Sequence, residues 1–244
     1  MLAVTPRQSA GDTGDEPLLI YLRTGAPVVV GADRAAAAEA LCAGHPGVDI
    51  LVADDGLQHH RLHHDMAVLV FDDRGAGNGL CLPAGPLRQP LPDHVPAHCL
   101  VLYNAPAAST ALPGFTGQRR LVGVLPLDAW WAGREVPDDG GWSALQGRPV
   151  LAAAGLARPE RFFDMLSAQG LHITPLPLAD HHPFAPLPWP AGTAEVIVTE
   201  KDAVKLPPQS VGSTQVWVAR LDFQPEPAFA DALRQLCAPF KTTP

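Results

Sequence analysis

Several things that would staple, anchor or polarise a chain are scarce in this one. Its four cysteines, Cys42, Cys81, Cys99 and Cys237, lie far apart in 244 residues. No C-x-x-C pair occurs, and four inert core thiols in a reduced compartment are expected. No apolar run reaches the roughly 18 residues of a membrane-spanning helix. Met1 to Pro17 has no apolar stretch of the signal-peptide kind. Basic residues number 17 against 25 acids, for a net charge of −8. With no Lys/Arg cluster either, a nucleic-acid-binding face is not expected. Internal repeats and low-complexity tracts are also missing.

What is present suffices for one large or two small domains. A chain of this length can bury roughly 70% of its unfolded surface, so no staple is needed. Asp15-Glu-Pro opens an apolar-periodic stretch to Leu22, with acids and Pro at a helix start. Pro27–Val30 is expected as a short strand. Asp33 is the N-cap of an Ala-rich helix that ends by Gly44 and Pro46. Strands are expected at 48–53, at Ala67–Phe71 and at Cys99–Tyr103. The stretch from Gln118 to Gly147 reads as an extended connector with β character. After it come strand Pro149–Ala153, a helix from Arg158 closed by Gly170, strands His172–Leu178, Glu195–Thr199 and Gln215–Ala219, and helix Phe229–Leu236. Strands alternating with helices in this way indicate α/β architecture with a largely parallel sheet.

Charged clusters fall where strands end: Asp54-Asp55, Asp72-Asp73, Asp180-His181-His182 and Glu200-Lys201-Asp202. Strand ends at one edge of a parallel sheet converge on a crevice where ligands bind. Ile50, Leu51 and Val52 read as a buried strand ending at Asp54 and Asp55, a pair suited to a Mg²⁺ that bridges phosphate oxygens. Asp-Asp-Gly is equally good turn chemistry. Gly75-Ala-Gly-Asn-Gly79 and the segment Leu82 to Arg88 form a loop able to offer backbone N–H groups to phosphate, with Arg88 adding a planar fork. An ordinary long surface loop is the alternative. His59, His60, His63, His64 and Asp65 do not make a metal site on spacing alone. Asp180 beside His181 can orient an imidazole for proton transfer, or the histidine can simply cap a helix.

Six segments occur in order: Gly14-Asp-Glu-Pro17, Asp54-Asp-Gly-Leu-Gln-His59, Leu82-Pro-Ala-Gly-Pro-Leu-Arg88, Gly155-Leu-Ala-Arg-Pro-Glu-Arg-Phe-Phe163, Asp180-His-His182 and Thr199-Glu-Lys-Asp-Ala-Val-Lys205. Together they resemble the tetraacyldisaccharide 4'-kinase family of lipid A biosynthesis, from about residue 12 to the last helix. That resemblance implies ATP- and Mg²⁺-dependent phosphorylation of the 4'-hydroxyl of tetraacyldisaccharide 1-phosphate. It implies two α/β/α sandwich lobes with mainly parallel sheets joined by a β linker, a P-loop kinase-like fold. The corresponding boundaries here are 1–117, 118–147 and 148–244. It also implies peripheral contact with the cytoplasmic face of a bacterial inner membrane, or a cytoplasmic chain if a membrane-associating segment is missing.

Carried onto this sequence, Asp15 is the base or orienting group for the sugar hydroxyl, and His181 its partner reaching over from the second lobe. Asp54 and Asp55 take the Walker-B-like place and organise Mg²⁺. Arg88, Gln89, Asn78, Gln58 and His59 are expected to contact the acceptor. The family's Walker A segment, Gly-x-x-x-x-Gly-Lys-Thr, is lacking, and no Gly-Lys-[Ser/Thr] occurs anywhere in the chain. An N-terminally shortened member without its first strand–P-loop–helix unit is therefore expected. Gln89 also replaces the acid that usually follows the Arg of Pro-Leu-Arg. A lipid-precursor-binding remnant without chemistry and a metal-dependent phosphoesterase are the alternatives.

Overall fold

Proline and glycine punctuation in the sequence marks most element boundaries in the computed structural model, which describes residues 1–6 and 8–240. The first half holds β1 (Leu2–Ala3), α1 (Ala10–Thr13), α2 (Asp15–Thr24), β2 (Val29–Val30), α3 (Arg34–Gly44), β3 (Ala67–Asp72), β4 (Cys99–Asn104) and β5 (Phe115–Pro126). The second holds α4 (Leu127–Trp131), β6 (Pro149–Ala154), α5 (Pro159–Ala168), β7 (His172–Pro177), β8 (Glu195–Thr199), α6 (Glu200–Ala203), β9 (Gln215–Pro225) and α7 (Pro227–Cys237). These elements form two units interleaved along the chain. Unit 1 comprises Met1–Leu51 and Leu121–Asp222; unit 2 comprises Val52–Arg120 and the segment from Phe223 onward.

In unit 1, β6 pairs with β7 and β8, and β8 with β9, all parallel. Side chains alternate across such a sheet, so each strand feeds two cores. Ala152, Ala154, Ile197 and Ala219 meet Phe162, Phe163 and Leu166 of α5 on one face. Ala153, Val196, Val198, Val216 and Val218 meet Leu18 of α2, Leu127 and Trp130 of α4 and Ala203 of α6 on the other. The result is helix, sheet, helix, with both faces covered. The helix α5 begins on Pro159, whose fixed φ and missing N–H suit a first turn. Each large apolar side chain that α5 buries contributes roughly 1.5–3 kcal/mol. Asp33 caps α3 as expected, its Oδ1 accepting from the amides of Ala35 and Ala36.

Residues 118–147 show the expected β character in β5, which runs to Pro126. Val124 and Leu125 are buried on opposite faces of β5 and join the two cores of unit 1. Packing partners distant in sequence make a strand interior of what locally reads as linker.

In unit 2, β3, β4 and the start of β5 pair in parallel. Val101, Tyr103 and Leu112 form its core with Leu69 and Phe71. The Tyr103 hydroxyl donates to the carbonyl of Leu112 at 2.7 Å, which satisfies its buried polar tip. Phe229 of α7 lies edge-on to Phe115, with ring centroids 5.7 Å apart.

The strand expected at 48–53 does not form, and this is a correction. These residues have no strand geometry, and Ile50, Leu51 and Val52 are exposed, Val52 at 92%. A strand needs a neighbour for its backbone groups, and no strand among the described residues pairs with this segment. β-branched residues favour an extended chain chiefly when it is packed and paired.

Candidate active site

Asp15 begins α2 directly after Gly14, whose φ of +90° suits glycine and whose Cβ, if present, would sit 3.2 Å from Pro17 Cδ. The carboxylate therefore stands at a helix N-terminus, where the helix dipole favours negative charge. Its Oδ1 accepts from the amide of Glu16 at 3.2 Å. Its Oδ2 lies 3.0 Å from His181 Nδ1 and 3.4 Å from Lys205 Nζ. Burial pushes the Asp15 carboxyl up, but the His181 hydrogen bond and the Lys205 and Lys201 cations outweigh it, so it sits below the ordinary carboxylate range. An ionised Asp15 only accepts, so His181 Nδ1 carries the hydrogen between them.

His181 lies in the loop that follows β7, with its backbone in the left-handed region at φ +57°. Such a conformation in a non-glycine residue persists when surroundings enforce it. Here its own amide donates to Asp180 Oδ1 at 3.0 Å. The next residues are fixed too: Phe184 N–H donates to His182 Nδ1 at 3.0 Å, and the Phe184 ring is buried against Trp189. Asp180 stands 3.9 Å from His181 Nε2, so Asp15 is the carboxylate that orients the ring. The two residues are 166 positions apart and both belong to unit 1. The second lobe from which His181 is expected to reach is thus the unit that also holds Asp15.

Beside this pair opens a cavity of about 720 Å³, lined by Ser9, Asp15, Trp131, His181, Lys205 and Pro207 among others. Trp131 is held in the wall by donating from Nε1 to the carbonyl of Leu206 at 2.9 Å. Lys201 Nζ pairs with Glu16 Oε1 at 3.2 Å and with Asp180 at 3.7 Å. Burial lowers the Lys201 ammonium, but Glu16, Asp15 and Asp180 more than offset this and leave it raised.

The other expected residues lie in unit 2. Arg88 Nη1 is 2.6 Å from both oxygens of Asp55. Asp54 precedes Asp55, whose φ is +54°. Gln58 Nε2 donates to Gln89 Oε1 at 3.1 Å. Asn78 holds its own loop: Nδ2 donates to the Ala84 carbonyl at 2.8 Å and Oδ1 accepts from Leu80 N–H at 3.1 Å. His59 is exposed, in a turn closed by its amide to Gly56 O. The N–H groups of Gly75, Gly77 and Gly79 donate to Asp72, Arg74 and Ala76 carbonyls. These three amides are therefore used within the loop and are not among the N–H groups it could offer to a phosphate.

Lys205, Lys201 and Glu16 join this site although the sequence assigns none of them an individual role. The signal for the two lysines is the Thr199–Lys205 segment with its strand-end cluster Glu200-Lys201-Asp202, and for Glu16 the Gly14-Asp-Glu-Pro17 segment.

An imidazole oriented by an ionised carboxylate, at the edge of a cavity in an α/β sandwich, defines a class of protein able to draw a proton from an acceptor group. Comparison with known proteins then narrows the class. The family model described as tetraacyldisaccharide-1-P 4'-kinase matches residues 1–238. A tetraacyldisaccharide 4'-kinase of Methylibium petroleiphilum is 55% identical over 97% of this chain and 67% of its own length. One from Leptothrix cholodnii is 53% identical, over 96% of this chain and 69% of its own. A crystal structure of LpxK from Aquifex aeolicus in complex with ATP superposes with a TM-score of 0.72 at 25% identity, covering 96% of this chain and 71% of that one. The chain belongs to the tetraacyldisaccharide 4'-kinase family.

Proposed function

We propose that this protein phosphorylates the 4'-hydroxyl of tetraacyldisaccharide 1-phosphate, with ATP as donor, in lipid A biosynthesis. The observation that carries it is the Asp15–His181 hydrogen bond of 3.0 Å at the rim of the cavity, within a chain of this family. Asp15 accepts the hydrogen bond from Nδ1–H and fixes the ring, leaving His181 Nε2 as the acceptor for the sugar hydroxyl proton. Phosphoryl transfer needs little covalent chemistry from the protein; it needs the nucleophile oriented and developing charge balanced.

Asp54 and Asp55 are the residues proposed to hold Mg²⁺, which takes one or two protein carboxylates and otherwise keeps water and phosphate oxygens. Bound there, the ion supplies charge neutralisation at the phosphates. Arg88 keeps Asp55 in position and is the cation proposed to meet phosphate or acceptor; Gln58, His59, Asn78 and Gln89 are proposed around it. The triphosphate itself requires a backbone cradle with a lysine. No Gly-x-x-x-x-Gly-Lys-[Ser/Thr] segment occurs in the 244 residues, so the residues assigned here are those of acceptor activation. A lipid-precursor-binding protein without transfer is the alternative reading. Peripheral contact with the inner membrane is proposed with it, supported by the lipid nature of the acceptor. No helix among the described residues is long and apolar enough to cross a membrane.

The test is ³²P transfer from labelled ATP to tetraacyldisaccharide 1-phosphate in detergent micelles, together with retention of the labelled lipid by the chain. Transfer that drops about 10²-fold or more in Asp15→Asn and His181→Ala supports the kinase reading. Lipid retention with no transfer by the wild type supports the binder. Transfer that both variants leave untouched removes the pair from the chemistry.

A further inference from the structure

Buried charge in unit 1 forms a chain that ends at the proposed base pair. Asp202 is completely buried. Its Oδ2 accepts from the Gly155 amide at 3.1 Å and the Thr199 hydroxyl at 2.8 Å, and its Oδ1 from Lys205 Nζ at 3.2 Å. A buried carboxylate with three donors is compensated and immobile. Lys205 is 8% exposed, and its ammonium lies between Asp202 and Asp15, at 3.2 and 3.4 Å. The Phe184 ring, 5.7 Å away, covers a further side of that ammonium. Lysine is ordinarily a mobile point charge, but here two carboxylates and a ring confine it.

We infer that Lys205, anchored by Asp202, is a positioning residue that holds the Asp15 carboxylate against His181 Nδ1. The catalytic meaning of this role rests on the proposed function; the coupling between Lys205 and Asp15 does not. Asp15 serves the imidazole only while ionised and aimed at it. A protonated or rotated carboxyl loses the Nδ1 hydrogen bond and frees the ring to turn. Lys205 opposes both changes, because it attracts the charged form and pins the same oxygen, Oδ2, that meets the ring. Lys201 does neither so directly, since its ammonium is held by Glu16 and Asp180. The charged groups that meet Asp15 or its partners are thus Glu16 on α2, Asp180 and His181 in the loop after β7, and Lys201, Asp202 and Lys205 on α6 and the turn that follows. Lys205 is the cation nearest its carboxylate.

Titration of the Asp15 carboxyl tests this without any turnover, by its side-chain ¹³C shift in the full chain over the pH range where near-UV circular dichroism stays native. In Lys205→Met the midpoint is expected to move up by about one unit, the size of effect one neighbouring charge exerts. Lys205→Arg is expected to keep the wild-type midpoint. If the methionine variant loses its native near-UV signal, Lys205→Gln removes the charge while keeping a donor. A neutral variant that is native and titrates as wild type overturns the inference. In the transfer assay kcat is expected to fall roughly tenfold or more with KM unchanged, and the acid limb of the pH profile to move up, with arginine restoring both. Equal losses with arginine and methionine would also overturn it. Absence of transfer by the wild type would strike the proposed function and leave the Lys205–Asp15 titration standing or falling by itself.

Discussion

At the scale of single residues, Asp15 shows how position determines what a carboxylate is worth. It sits at a helix N-terminus, bonded to an imidazole and close to a lysine, and its titration is depressed below the ordinary range. A depressed carboxyl stabilises the fold at pH values above its unfolded pKa of about 3.9, and that contribution disappears as pH falls through the folded value. Asp15→Asn should therefore separate from wild type in urea unfolding at pH 6–7, and the two curves should draw together below about pH 4. A gap that stays constant across that range would show that Asp15 contributes no pH-linked stability. Arg88 presents the opposite case. Its pair with Asp55 is short but exposed, at 52% and 59% of the two side chains. Water screens such a pair, so Arg88→Ala should cost under about 1 kcal/mol in the same measurement. Its effect, if it meets phosphate as proposed, belongs in acceptor binding.

At the scale of elements, α6 is a helix of one turn that depends on its cap. Thr199 Oγ1 accepts from the Asp202 amide at 3.2 Å and donates to Asp202 Oδ2 at 2.8 Å. Thr199→Ala removes the cap and one of the donors that compensate a buried charge. A loss of about 1–3 kcal/mol in unfolding free energy is expected. Thr199→Ser keeps the hydroxyl and should recover most of it. The helix α5 depends on burial instead: Leu166 is fully buried beneath it, and Leu166→Ala should cost about 2–5 kcal/mol. Signals local to a few residues made such elements legible in the sequence, as with Pro159 near the start of α5 and Asp33 capping α3. The same local signals failed at 48–53. There the pattern of Ile50, Leu51 and Val52 is that of a strand, but a strand exists only with a neighbour to bond.

At the scale of the whole chain, the candidate site divides by unit. Asp15, His181 and Lys205 come together in unit 1, while Asp54, Asp55 and Arg88 cluster in unit 2. The parallel sheet of unit 1 explains the first grouping. Successive parallel strands need crossovers, so the loop after β7 and the turn after β8 lie at the same ends of their strands, far apart in sequence. That placed Asp180–His182 and Glu200–Asp202 near one another, as the strand-end clusters suggested.

What the amino-acid order alone determined was the α/β class, the family, the positions of most strands and helices, and the residue types able to move a proton. Those follow from periodicity, caps and motif order, all of which act over a few residues. Which carboxylate orients His181 was decided only by the tertiary structure, because Asp180 is its neighbour in sequence yet Asp15, 166 positions away, makes the hydrogen bond. Tertiary structure also drew Lys205 between two acids, buried β5 as core and left 48–53 unpaired. Each outcome depends on contacts between distant segments, whose energies no local pattern encodes.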